Sequence, residues 1–593
     1  MSVRAKTLEE WTNEYAQSLD QEWPLELWNS AWRDGINVLR FLPVIRMGQR
    51  ANIDNIPQQC LAMPGFLDEL RAFGTTAVYV RHDYIEILKR IVALVQGAIH
   101  VPKSSKAKSE KMPGPEGDEE VEDEDEEARV DVQQYTSHIP ENPFTRMQSK
   151  FQCEISVTGS PGNGKSLFQH FILGLRLNAK RPTIVQFQQD CIYLFAAHGV
   201  FTITGATLED SRVATRLGLL VPDAWCLVDS NLDMILPTRF VRNTLLTVIQ
   251  AASAREKRLD WLGKGSAISC SFCISPFTFE EAIIVRSFRV SNLLAGEEEL
   301  RSWFDRYAPF ARLAFNKAFD QTTYQTRIEK KLNRLTSSSF ADAARQAEAI
   351  LAPETDASPH ELFVFYPDSS YLFDRATCRI PTSYLTSLVI RRFESTVSEE
   401  RTKFYKDFLG IKPLAAVAGH FLEDIVVDHL PLGGLWKLRE LEARNARKNQ
   451  HWSIGPAASA LWLVVAGSMR IYNQRPALIS AHPREPVLKK LYTELTASDL
   501  IDNCLYVPKS PTEPTYDFFY YCKSRAIMFQ CTVADEHDVK DQGLAKLKSI
   551  GVETFTYVGI VPFDKRPNFR IHREVAERYQ FESRYMLNFE VPK

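Results

Sequence analysis

The chain has 593 residues, 45% of them apolar and 24% charged, with a formal net charge of -3. At ~150 residues per domain, that is room for about three or four globular domains with real cores. The longest apolar runs, such as "ASALWLVVAGSM" (458–469), are too short to span a bilayer, and "MSVRAKTLEEWTNEYAQSLDQEW" lacks the apolar centre of a secretory signal, so a soluble protein is expected.

Residues 1–100 are rich in aromatics and end in "TTAVYVRHDYIEILKRIVALVQGAI", a short strand leading into an amphipathic helix, read as an N-terminal α+β domain. Residues 101–145 follow as a linker. They contain "MPGPEG" and the acidic block "EGDEEVEDEDEE" (116–127), which cannot bury enough surface to fold. With that block set aside the remainder is net basic, which permits contact with nucleic acid. The ten cysteines are scattered. The one C-x-x-C, Cys270 to Cys273, has no second pair beside it and reads as two buried thiols.

From 146 to about 290, apolar runs at 154–158, 183–187, 224–228 and 269–275 alternate with helical patterns. That is the signature of βαβ units and a parallel sheet. The first run enters "GSPGNGKS", which fits G-x-x-x-x-G-K-[ST] with Gly159, Gly162, Gly164, Lys165 and Ser166. Glycines let backbone amides turn inward around phosphates, the lysine reaches the β and γ oxygens, and the serine hydroxyl ligates Mg²⁺. A carboxylate on a neighbouring strand completes the Mg²⁺ shell, and "DAWCLVDSN" supplies Asp229. Ser230 follows where many ATPases of the AAA type carry a glutamate, so hydrolysis is expected to be slow unless Asp233 or another residue serves. Ser275, at the end of the next strand read, is a candidate γ-phosphate sensor. "FNKAFD" (315–320) lacks the aspartate that guanine specificity requires, so ATP is the expected nucleotide.

Residues 296–350 read as a helical lid, 351–402 as an irregular connector and 403–593 as a second mixed α/β domain. In that last domain, "VAGHFLEDIVVDHLPLGG" is a helix carrying Glu423. "TYDFFYYCKSRAIMFQCTVADEHDVK" reads as two strands, with Asp517 opening the first and Gln530 and Thr532 alternating on the second. A carboxylate, a Q-x-T and a helical glutamate resemble the layout of PD-(D/E)xK nucleases, in which such oxygens hold a divalent metal. The usual lysine is missing, with Lys523 and Lys540 as possible substitutes. The segment "LWKLRELEARNARK" (435–448) reads as a helix with a solvated charged face, or as a contact for a phosphate backbone. The run at 554–563 reads as the last strand.

Taken in order, "VYVRHDYIEIL", "SVTGSPGNGKS", the Asp229 strand, "ISP", "AGEEELRSWF", "GHFLEDIVVDHLPLGG" and "FQCTVADEHDVKDQGL" resemble the Crinkler effectors and the trypanosomatid retrotransposon-hot-spot proteins. The resemblance covers roughly residues 60–570. It implies a P-loop NTPase with an AAA-like parallel sheet, followed by a restriction-endonuclease-like domain. It also implies ATP with Mg²⁺ at Ser166 and Asp229, and Mg²⁺ or Mn²⁺ at a nuclease site of Glu423, Asp517, Gln530 and Thr532. DNA is the implied substrate, in a nuclear or cytoplasmic setting that includes a host nucleus. No LxLFLAK-type header is present at the N-terminus. A homo-oligomer is compatible with this reading, which does not set the number of copies.

Overall fold

The computed structural model describes residues 7–19, 23–37, 39–41, 59–61, 75–99, 141–231, 233–253, 256–264, 268–289, 295–307, 309–348, 361–394, 398–446, 449–454, 460–475, 486–509, 515–563, 565–579 and 581–590. The acidic block and residues 101–140 of the expected linker lie outside them. The chain divides into two compact units. The first is Met1–Ile328 with Gln346–Thr382, and the second is Glu329–Arg345 with Ser383–Lys593. Both are mixed α/β. Among the described residues no helix is long and apolar enough to cross a membrane.

The first unit is built on an eight-stranded sheet. Its strands are β1 (Gln17–Ser18), β2 (Cys153–Thr158), β3 (Thr183–Gln186), β4 (Cys191–Ala196), β5 (Gly199–Thr204), β6 (Trp225–Asp229), β7 (Thr247–Ala251) and β8 (Ile268–Cys273). They lie in the order β1-β5-β4-β3-β6-β7-β2-β8. Strands β3, β6, β7, β2 and β8 are parallel, while β4, β5 and β1 form an antiparallel edge. Apolar residues line both faces of the parallel strands, as such sheets require. Trp225 and Leu227 enter one core with Ile155 and Val157, and Cys226 and Val228 enter the other with Ile184 and Leu194.

Two features differ from the expectation. The sequence reading passed over β7, which inserts between the phosphate-loop strand and the Asp229 strand. The N-terminal segment is also not a domain of its own: β1 adds to the sheet edge, Trp11 enters one core, and helix α1 (His82–Gln96) enters the other through Tyr84, Ile87, Leu88, Ile91 and Leu94. The end of the expected linker joins them, with the Phe144 ring edge-on to Trp225 at 5.0 Å. The helices of 297–348 form as expected. The connector read as irregular holds a strand pair, Val364–Tyr366 with Thr377–Arg379, and the helix Ser383–Glu394.

In the second unit the helices Ser383–Glu394 and Ser398–Phe408 precede helix α2 (Ala415–His429). Twelve strands follow, of which the central ones position the candidate site: β9 (Gly434–Ala446), β10 (Asn449–Ile454), β11 (Ala460–Val465), β12 (Met469–Tyr472), β13 (Leu488–Tyr492), β14 (Cys504–Pro508), β15 (Phe518–Cys522), β16 (Arg525–Cys531), β17 (Glu536–Val539), β18 (Thr554–Pro562), β19 (Asn568–His572) and β20 (Phe581–Phe589). The main path runs β13-β14-β15-β16-β18-β20-β9-β10-β19-β17, with β11 and β12 branching from β9. Strands β15 and β16 form an antiparallel hairpin. Strand β18 returns parallel to β16 through the helix Gln542–Ser549, and α2 lies against β16. The segment 435–448, read as a helix, is strand through Ala446, paired to β10, β11 and β20. Strand β19, the helix Arg573–Tyr579 and β20 come after the run taken as the last strand.

Candidate functional site

In the first unit β2 ends at Thr158 and the chain turns through Gly159 (φ +133°), Gly162 (φ +82°) and Gly164 (φ +87°) into the helix Lys165–Asn178. These dihedrals favour glycine. A Cβ on Gly159 would also lie 2.8 Å from the Ile274 carbonyl oxygen, and one on Gly164 would lie 2.2 Å from the Tyr84 hydroxyl. The Lys165 ammonium donates to the carbonyls of Gly159 and Ser160, both at 2.9 Å, so it folds over the loop it would share with a phosphate. Burial pulls its pKa down to about 8, against the opposing pull of the Cys273 thiol and Asp229. Burial pushes the Asp229 carboxyl up to about 6, offset by the Ser166 hydroxyl hydrogen-bonded to it and by Lys165, Arg258 and Arg312. Ser166 and Asp229 are therefore brought together, and three cations surround one carboxylate, an imbalance that a polyphosphate would neutralise.

The surroundings assign the neighbouring residues. Ser230 accepts from Gln250 Nε2 at 2.5 Å, and Trp261 Nε1 donates to the same amide's oxygen at 2.5 Å, so the position after Asp229 is held in a structural bond. The exposed Asp233 lines an open cleft of ≈ 1210 Å³ with Arg239, Arg242 and Lys257. Ser275 follows β8, on the opposite flank of β2 from Asp229. Its amide donates to Asp83 at 2.7 Å and its carbonyl accepts from Arg81 at 3.1 Å. Ser253 lies just past the end of β7, the strand between β2 and β6, and its hydroxyl is buried without a hydrogen-bond partner among the described residues. The apolar run "TVIQAA" (247–252) was the signal for that strand.

Sequence reasoning also missed what backs the loop. Arg81 is buried. Its guanidinium pairs with both oxygens of Glu281 (2.9 and 2.8 Å) and donates to the carbonyls of Asn163 (3.0 Å) and Pro276 (3.0 Å). Tyr84 Oη donates to the Gly164 carbonyl at 2.6 Å. The stretch "VRHDY" thus grips the glycine turn through the carbonyls of Asn163 and Gly164. Cys270 and Cys273 are free, buried thiols on β8, and burial pushes Cys270 up to about 12.

The second unit brings Asp517, Gln530 and Glu423 together. The Asp517 amide donates to the Phe529 carbonyl at 2.8 Å, setting the start of β15 against the end of β16. Its carboxylate then accepts from Gln530 Nε2 at 2.7 Å and from the Cys531 amide at 2.6 Å. Burial raises the Asp517 carboxyl, with those two bonds opposing. Burial, Asp517 and Asp424 raise that of Glu423 on α2. Burial thus disfavours the charged form of both carboxyls, and the charge of Asp517 disfavours that of Glu423 further. His420, one turn before Glu423 on the same helix face and 3.6 Å from Asp424, offsets the Asp517 shift and was not singled out from the sequence.

The Gln530 Oε1 atom is buried with no partner. An orphaned acceptor beside two carboxylates offers oxygen atoms of the kind that would suit a hard divalent cation such as Mg²⁺ or Mn²⁺. Among the described residues no three His, Cys, Asp or Glu side chains gather as metal ligands, so any such site consists of the carboxylate pair and the amide oxygen. Thr532 follows the end of β16, with its amide donating to the Ile560 carbonyl at 2.9 Å and its hydroxyl accepting from the Ala534 amide at 3.2 Å. Lys523 sits in the hairpin turn (φ +51°), roughly 17 Å of strand away from Asp517, and Lys540 pairs with Asp538 at 3.6 Å. Neither supplies the missing lysine.

No protein-family model matches the chain, and no curated protein matches it.

Proposed function

We propose that the chain is an ATP-binding and slowly hydrolysing protein whose second unit cleaves DNA with a divalent metal, in the manner of the Crinkler and retrotransposon-hot-spot proteins that its sequence resembles. The observation that carries the nuclease half is the carboxylate pair, Glu423 and Asp517, each raised by burial, beside the buried, unpartnered Gln530 Oε1. A cation bound there supplies positive charge at the scissile phosphate. Glu423, Asp517 and Gln530 hold it, while the Cys531 amide fixes the Asp517 carboxylate. For the ATPase half, Lys165 neutralises the terminal phosphates and Ser166 with Asp229 holds Mg²⁺. Slow turnover follows from Ser230, whose hydroxyl is engaged by Gln250 where a water-activating carboxylate would stand. DNA as substrate and a nuclear setting come with the resemblance.

Thr532 favours a second reading. The hydroxyl at the lysine's expected place closes a turn, which suits an NTP-dependent switch with a degenerate DNA-binding module. Plasmid nicking with Mn²⁺ and ATP separates the two. Wild type nicks, Asp517→Ala does not, and Lys165→Ala reports whether nucleotide gates the cut. A wild-type protein that turns over ATP without nicking leaves the second reading.

A further inference from the structure

Strands β9, β11 and β12 carry a side-chain row that neither candidate site uses. Lys437 on β9 stands opposite Trp462 on β11, and Trp462 stands opposite Tyr472 on β12, so the three project from one face of the ribbon. Leu461 and Leu463, on the other face of β11, are buried, which makes the Lys437–Trp462–Tyr472 face the outer one. Tyr472 is 39% exposed, and Lys437, Arg470 and Arg475 are exposed with it. The Arg475 guanidinium lies over the Trp462 ring at 5.4 Å.

The chemistry of the ribbon is one-sided. Residues 434–439, 460–465 and 469–475 contain Lys437, Arg439, Arg470 and Arg475 and not one Asp or Glu. None of these four cations forms an ion pair within the described residues. Like charges left uncompensated along an exposed face repel one another, and an anionic partner relieves that repulsion. A phosphate backbone matches the cations. The exposed Tyr472 ring and the half-buried Trp462 ring, interleaved with these cations, match bases, which duplex DNA keeps stacked inside and a single strand presents.

We propose that this row is a landing site for single-stranded nucleic acid, with bases stacked on Trp462 and Tyr472 and phosphates against Lys437, Arg470 and Arg475. The proposal rests on the reading of the second unit as a nucleic-acid enzyme. It implies that the enzyme engages frayed or unpaired regions of its substrate.

The test is fluorescence anisotropy of the full-length protein in EDTA with labelled oligo(dT) and a blunt duplex, alongside plasmid nicking in Mn²⁺. Oligo(dT) should bind more tightly than the duplex. Trp462→Ala should weaken it roughly tenfold while Trp462→Phe keeps most of the affinity. Lys437→Gln and Arg470→Gln should each lower the salt slope by about 0.7. Unchanged oligo(dT) affinity in Trp462→Ala, in protein that melts like wild type, overturns the proposal. So does a loss that is equal for duplex and oligo(dT) and falls only on the charge variants, since that describes a generic polyanion patch. Oligo(dT) binding that depends on Trp462 in a protein that nicks nothing upholds the row and removes the nuclease reading. Nicking with no effect of any row variant on binding does the reverse.

Discussion

Single side chains in the first unit are held by burial as much as by contacts. His170 lies on the helix after the phosphate loop, fully buried, with Nδ1 donating to the Ser166 carbonyl at 2.7 Å and its ring 4.8 Å from Phe187. Burial pulls its pKa down to about 4. The folded value lies below the unfolded one of ~6.5, so the neutral ring's contribution is present above ~6.5 and is lost as pH falls through about 4. A shift of that size corresponds to roughly 3 kcal/mol of lost stability. Denaturant titrations at intermediate pH values should show the loss, and His170→Gln should flatten it. Tyr84 makes a different prediction. Its hydroxyl holds the Gly164 carbonyl one residue before Lys165. Tyr84→Phe should cost about 1 kcal/mol of stability and weaken ATP binding a few-fold, read by calorimetry and by displacement of a fluorescent nucleotide.

The hairpin of β15 and β16 is the element that makes the acidic site, because pairing Asp517 with the end of β16 delivers Gln530 to it. Converting the amide to a third carboxylate should separate its two roles. Gln530→Glu adds a carboxyl beside two that burial already raises, so the metal-free protein should melt at a lower temperature. In Mn²⁺ the same change adds a ligand charge, and the metal-induced rise in melting temperature should exceed that of wild type. A smaller rise than wild type would mean that Oε1 does not face the cation. The hairpin was legible as two strands, since "DFFYY" and "AIMFQC" are rich in aromatic and aliphatic residues between turn residues. Strand β9 was not. "LWKLRELEARNA" is made of good helix formers, and only pairing to β10, β11 and β20 decides that it is extended.

At the scale of the molecule, the segment before the acidic block belongs to the first unit, although its last helix ends at Gln96 and β2 begins only at Cys153. Helix α1 buries Tyr84, Ile87, Leu88, Ile91, Leu94 and Val95 at 0–1% exposure in the core that also holds Ile155 and Val157. At ~1.5–3 kcal/mol for each large apolar side chain, that burial rivals the whole stability of an ordinary domain. A chain beginning at residue 141 should therefore be insoluble or molten, and adding residues 1–100 as a separate polypeptide should restore a cooperative thermal transition. A well-folded protein lacking residues 1–140 would show that α1 is dispensable.

The glycine turn at 159–164, the Asp229 strand and the parallel α/β character were set by sequence alone, because each depends on residues adjacent in the chain. Glycines fix the turn, the helix begins where the turn ends, and an apolar run ends in its carboxylate. The tertiary structure decided the rest. It placed β7 between the loop's strand and that of Asp229, set Arg81 and Tyr84 behind the loop, and put Ser275 on the far flank of β2. It also closed Gln530 onto Asp517 while leaving Thr532 to cap a turn. Sheet order and strand register join residues tens to hundreds of positions apart, and local pattern carries no record of which strands will be neighbours.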